Sequence, residues 1–308
     1  MATIRTLRSS KLLLLVALAW GLAAGSQASA QTGGGYFPIR DSSVGYIDSA
    51  IPGNMLRFRF DAAYENHHPS RAEFFWAPGS GKGPGLPLTE TSVDYQEARG
   101  YLELLMGESW SLFFEVPTRF INPDINENHA GLGDVDGGIK WAVLQGEAGT
   151  LSLQFRTYAP TGNPHLGLSN AHTTLEPGVL FFLPVSETAA LEGECRYFVP
   201  LGGDAISGDV IRYGLGLQCK MYESKCCRLT PVLETVGWTF LHGGDPVVTP
   251  DGTFIGLANA TGETIVNIKV GMRVGAGEHM DFYGGWSRPL TGDKFYEHEW
   301  RLEMRLLF

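Results

Sequence analysis

Acidic and basic side chains recur at every second position along much of this sequence, and the residues between them are apolar. The positions are Arg57 and Arg59, then Glu97, Arg99 and Glu103, then Glu115, Lys140 and Arg156. Glu192, Glu194, Arg196, Arg212 and Lys220 follow, then Glu234, Lys269, Arg273, Arg301 and Glu303. Charges at this spacing can pair across neighbouring strands, or they can line a passage whose charge balance selects solutes. The ion-pair ladder is the plainer reading, because long side chains facing one another across a narrow interior fill it. Pore lining is the functional alternative.

Other reactive residues are sparse. Gly-x-Ser-x-Gly, His-Glu-x-x-His and a phosphate-binding Gly-rich loop ending in Lys-Ser/Thr are all absent. Acyl transfer would need a Ser with a His base in reach, and Ser287, His298 and Glu299 come nearest. The alternation puts His298 on the apolar face with Trp300 and Ser287 on the other, so the expectation is no enzyme and no catalytic residues. A lipid-modifying barrel is kept as the rival. Cys195, Cys219, Cys226 and Cys227 are the cysteines. In an oxidising compartment Cys219 could bridge to Cys226 or Cys227 across a short turn, with free thiols as the alternative. Vicinal Cys226-Cys227 is poor geometry for zinc, and His67, His68 and His129 read as solvated loop residues. No metal and no cofactor is expected.

The elements that must carry these charges are strands. The last is the clearest: Trp300, Leu302, Met304, Leu306 and Phe308 alternate with Glu299, Arg301, Glu303, Arg305 and Leu307. This period of two recurs in segments of about 9–12 residues, the length a tilted strand needs to cross a bilayer's hydrocarbon. The links between them alternate too. Those at 107–109, 144–149, 184–188, 223–226 and 275–279 are short. Those at 65–93, 121–130, 160–173, 200–208, 241–263 and 289–296 are long and rich in Gly, Pro, Asn and Asp. Sorted loops and an even strand count are features of outer-membrane barrels. The sequence therefore predicts an all-β fold, an antiparallel transmembrane β-barrel of about 12 strands over residues 55–308. A soluble sandwich would share the alternation but has no reason to sort its loops. Tyr64, Tyr95, Trp110, Phe120, Tyr158, Trp238, Trp286 and Trp300 near strand ends suit interfacial girdles.

The amino terminus reads as an export signal. Arg5, Arg8 and Lys11 precede the apolar run from Leu12 to Trp20, and Ala28-Ser29-Ala30 has the small-x-small form that a signal peptidase cuts. Residues 1–30 are thus expected to be removed. Residues 31–54 are expected as a periplasmic segment, either a tail or a small plug. Of 23 Lys and Arg, three lie in the signal; the remaining 20 face 33 Asp and Glu. That acidity excludes a nucleic-acid partner, which calls for a basic footprint.

Residues 131–162 resemble the bacterial family named for a role in phenol meta-cleavage, whose members look like outer-membrane transporters. The resemblance lies in Gly131-Leu132-Gly133-Asp134-Val135, Gly138-Ile139-Lys140-Trp141 and Ala159-Pro160-Thr161-Gly162. It implies passive movement of small, aromatic or hydrophobic solutes across the outer membrane. The terminal alternation of Trp300, Leu302, Met304, Leu306 and Phe308 is similar to the signal read by the barrel-assembly machinery. That machinery, outer-membrane lipid and an unidentified small solute are the expected partners. A closed barrel with a structural or adhesive role is the other alternative.

Overall fold

The computed structural model describes residues 41–67, 85–88, 90–202, 206–224, 226–249 and 253–308. The export signal, the first ten residues of the 31–54 segment and His68 lie outside the described residues.

Twelve long strands form one antiparallel sheet closed on itself. They are β1 (Met55–Asn66), β2 (Val93–Leu105), β3 (Trp110–Pro123), β4 (Val135–Gly146), β5 (Gly149–Ala159) and β6 (Thr173–Pro184). The circuit continues with β7 (Ala189–Leu201), β8 (Val210–Cys219), β9 (Cys227–Phe240), β10 (Thr264–Ala276), β11 (Met280–Pro289) and β12 (His298–Leu307). Each pairs with the next in sequence, and β12 returns to β1 in a register running from Met55↔Leu307 to Tyr64↔His298. Short strands His129–Leu132 and Tyr222–Glu223 extend the sheet locally, and Gly244–Val248 pairs with Phe254–Asn259 in a hairpin of the loop 241–263.

The alternation decides which way each side chain points. Outward residues are large, apolar and exposed, among them Phe58, Phe60, Leu112, Phe114, Leu153, Phe155, Leu215, Leu217 and Leu302. A belt of this size far exceeds the apolar patches that a water-soluble surface carries, and it matches the lipid-facing band of a membrane barrel. Trp110 and Trp141 stack at 4.8 Å on this outer face, and Trp286 lies 6.3 Å from Trp300. Three of the residues expected in the girdles belong elsewhere. Tyr95, Tyr158 and Trp238 are buried inside the lumen, because each falls on the charged rather than the apolar parity of its strand.

Inside the barrel sits a segment without secondary structure. Residues 41–54 enter at the short-turn end, where Gln218 donates to the Asp41 carbonyl and Arg305 to that of Ser42. They reach mid-depth at Tyr46–Asp48 and return to the same end, where the Leu105 N–H donates to Asn54 Oδ1. Of the two expectations for residues 31–54, the packing of 41–54 is that of a plug. Gly45 is required at the tip, since a Cβ there would lie 2.3 Å from the Tyr283 ring.

Candidate solute site in the lumen

Every lumen residue expected from the sequence faces inward except Lys220. Lys220 follows the end of β8 and pairs with Glu223 at 2.7 Å in the turn, because β8 stops at Cys219. The inward charges are paired almost throughout. Glu115 on β3 receives Arg57 (2.9 Å), Arg59 (3.3 Å) and Arg99 (2.6 Å) from β1 and β2. Glu97 holds Arg99 and Arg119, and Lys140 donates to Glu103 at 3.1 Å. Arg301 grips Asp61 across the closing seam at 2.6 Å, while Arg273 meets Glu303 at 2.8 Å. These are the cross-strand ladders that the alternation anticipates, and burial forces the pairing.

A second set of charges holds the plug instead of a neighbouring strand. Glu234 on β9 accepts the backbone N–H groups of Gly45 (3.0 Å), Tyr46 (2.9 Å) and Ile47 (3.0 Å). Successive N–H groups converging on one carboxylate form an anion nest turned inward. Arg273 donates to the carbonyls of Ser43 and Val44, Arg301 to Gly45 and Arg212 to Tyr46. Asp48 meets Arg156 at 2.7 Å and Arg196 at 3.4 Å, and its own N–H donates to Glu194. Burial opposes ionisation of Asp48, but Arg156 and Arg196 outweigh it and hold the carboxyl well below its ordinary range. Ala50 docks against Leu180, Phe182 and Ala190, and Ser152 donates to its carbonyl.

Above the plug tip, towards the long loops, lies a cavity of about 80 Å³, enough for several waters. Its wall carries Arg59, Arg99, Arg119, Arg156, Arg196, Arg212, Lys269 and Arg301, against the carboxylates Asp48, Asp61, Glu97 and Glu299. Tyr46, Tyr95, Tyr158, Tyr296 and Trp238 complete it. Burial, reinforced by Glu299, pushes the Tyr46 phenol up, so its hydroxyl stays protonated. On the loop side, Phe295 stands edge-on to Trp238 at 5.0 Å and to Phe240 at 6.0 Å, within an apolar cluster that includes Phe198 and Ile265.

Structures of outer-membrane barrels share this architecture. An outer-membrane channel from Pseudomonas putida F1 superposes with a TM-score of 0.56 at 13% identity, over 87% of this chain and 100% of that one. The NanC porin gives 0.50 at 11% identity, over 82% and 100%. The β-domain of the Bordetella autotransporter BrkA gives 0.50 at 11% identity, over 83% and 100%. No protein family and no curated relative matches the sequence. The fold is that of the outer-membrane β-barrels.

The remaining candidates are separated by the same geometry. Ser287 points into the lumen, with its Oγ 3.3 Å from the Tyr296 hydroxyl, whereas His298 stacks on Tyr64 at 5.1 Å. Ser287 and His298 thus occupy opposite faces. All four cysteines are free. Of the two options for Cys219 and Cys227, the structure has the free thiols: β9 runs past the end of β8, Gln218 sits opposite Val232, and the Cys227 carbonyl accepts from the Ser224 N–H. His67, Glu65 and Glu297 gather at the long-loop surface, where Glu297 is engaged by Lys294. His129 begins the short strand beside β3. Outward alternation of Trp300, Leu302, Met304, Leu306 and Phe308 persists to the chain end.

The two ends of residues 131–162 meet in a clasp at the long-loop end. Asp134 accepts the N–H of Gly162 (3.0 Å) and the hydroxyl of Ser169 (3.0 Å), while Thr161 Oγ1 donates to the Gly133 carbonyl. A Cβ at Gly162 would lie 2.4 Å from the Leu168 carbonyl oxygen, so only glycine allows this approach. Charges that the sequence reading passed over include Arg119, Glu176 and Asp48. Arg119 shares the parity of Glu115 and could have been reached by extending β3 two strides. Asp48 lies on no strand, and alternation offers no signal for it.

Proposed function

We propose that this chain is a bacterial outer-membrane channel for passive movement of small solutes, closed at mid-depth by residues 41–54. The observation that supports it is the division of the lumen. Strand charges and the plug fill the short-turn half, while a polar cavity remains between the plug tip and the loops. A barrel serving only as an anchor gains nothing from a plug held by side chains that its wall could have paired internally. The charged lining favours solutes carrying polar groups over wholly hydrophobic ones, and the tyrosine and tryptophan rings accommodate a planar body. Opening requires the Tyr46–Asp48 tip to leave the axis.

Recordings in planar bilayers test this reading. The folded protein should show discrete conductance steps, and a variant lacking residues 42–52 should show larger and longer ones. A correctly folded barrel silent in both forms would leave the anchor alternative standing and remove the channel. Release of fatty acid from phospholipid by the purified protein would move the assignment to a lipid-modifying enzyme.

A further inference from the structure

Charge on the cavity wall is uneven: eight cationic side chains reach it against four carboxylates. Glu115, Glu176 and Glu194 neutralise several of those guanidinium groups from within the wall. Each cation has a partner, so the imbalance alone does not make a site. A second observation does point to a ligand. The Tyr46 hydroxyl and the Trp238 indole N–H find no hydrogen-bond partner among the described residues. Tyr46 is 4% exposed and Trp238 2%, and both line the cavity. An indole N–H is a donor only, and leaving one buried without an acceptor is unfavourable.

The two donors flank the same ammonium group. Lys269 Nζ lies 3.8 Å from the Tyr46 ring centroid and 5.8 Å from that of Trp238. The Arg212 guanidinium carbon is 5.7 Å from the Trp238 ring. Two donors without acceptors beside two cations match a group that is anionic and acceptor-only, which is the chemistry of a carboxylate. We propose that this corner of the cavity binds a small carboxylate anion, which accepts hydrogen bonds from Tyr46 and Trp238 beside Lys269 and Arg212. As a statement about the transported solute, it rests on the channel reading. The cavity volume of about 80 Å³ sets the size of that anion at a few non-hydrogen atoms.

Calorimetric titration of the folded, full-length protein in detergent tests the site, with acetate as the probe and acetamide as its neutral counterpart, both small enough for the cavity. Acetate should bind saturably and acetamide should not. Trp238→Phe and Tyr46→Phe should each weaken acetate about tenfold, the loss of one hydrogen bond to a charged group. Tyr46→Phe removes a single oxygen and keeps the test informative if Trp238→Phe fails to fold. The site is overturned by absent acetate binding, by equal binding of the amide, or by acetate affinity unchanged in the folded variants. Bilayer recordings separate the two ideas. A barrel that binds acetate but never conducts keeps the site and loses the channel, while one that conducts and ignores acetate does the reverse.

Discussion

Around the wall, every long strand is fastened to two neighbours by backbone ladders, and its inward charges pair across those ladders. Residues 41–54 join no strand of the barrel. Their N–H groups and carbonyls are met by wall side chains: Glu234, Arg273, Arg301, Arg212 and Arg305. Losing one wall contact leaves a closed cylinder whose neighbouring contacts persist. Losing one plug contact removes a fixed share of the little that holds the plug. Two kinds of substitution in one lumen should therefore give two kinds of phenotype, one in stability and one in conductance.

The largest effect is expected in the wall. Glu115 is 1% exposed and is shared by Arg57, Arg59 and Arg99. Glu115→Gln leaves three guanidinium groups crowded around a neutral amide. Breaking a buried pair on one side costs about 3–5 kcal/mol, with part recovered here through Asp61 and Glu97. Denaturant unfolding of the barrel in detergent, followed by its gel mobility shift, should show a midpoint well below that of the parent. Conductance of the folded fraction should stay close to the parent's. A rise in conductance as large as that from plug deletion would erase the distinction between wall and plug.

Glu234→Ala should do the opposite. It removes the acceptor of three buried plug N–H groups and of the Tyr283 hydroxyl. Each orphaned donor costs about 1–3 kcal/mol if it stays buried, so the plug gains by leaving the lumen for water. The β9 ladders to β8 and β10 are backbone contacts and remain. Open probability in bilayers should rise several-fold, and protease should cut within residues 41–54 faster than in the parent. An unchanged cutting rate and unchanged conductance would show that Glu234 is a wall residue like Glu115.

These two residues also mark what the sequence made legible. Glu115 stands in a strand whose alternation runs from Trp110 to Ile121, so its face could be assigned without coordinates. The strand positions, their parity and the sorting of links follow from the same regularity, because lipid outside and charge inside impose it at every second residue. Glu234 was placed on the inner face by that logic, but its partner was not. A plug without periodicity carries no pattern that names its contacts. Trp238 and Tyr95 were assigned to girdles by their position near strand ends, where parity should have taken precedence over position. Lys220 was misplaced, and the choice between a bridge and free thiols left open, for a third reason: β9 outruns β8, and an offset of a few residues at a turn does not show in composition.

The smallest expected effect comes from Asp48, and it separates the plug's two anchors. The carboxylate binds Arg156 and Arg196 at the tip, and Gln154 adds a further contact at 3.2 Å. Asp48→Asn keeps the shape and removes the charge, which is worth about 1.5–3 kcal/mol at a charge-assisted contact. With the Glu234 nest intact, openings should become more frequent by less than those of Glu234→Ala. The pH dependence has a fixed sign. Because the carboxyl is held below its ordinary range in the plugged form, its contribution is complete above the ordinary carboxylate pKa. It is lost only as pH falls through the lowered value. The Asp48 contact should therefore survive acidification to about pH 4, the ordinary range for an aspartate. Conductance recorded from pH 7 down to pH 4 should show the parent and Asp48→Asn keeping their separation. Convergence of the two as pH approaches 4 would mean that Asp48 titrates in the ordinary range, and so that the tip is not gripped by Arg156 and Arg196 in the membrane.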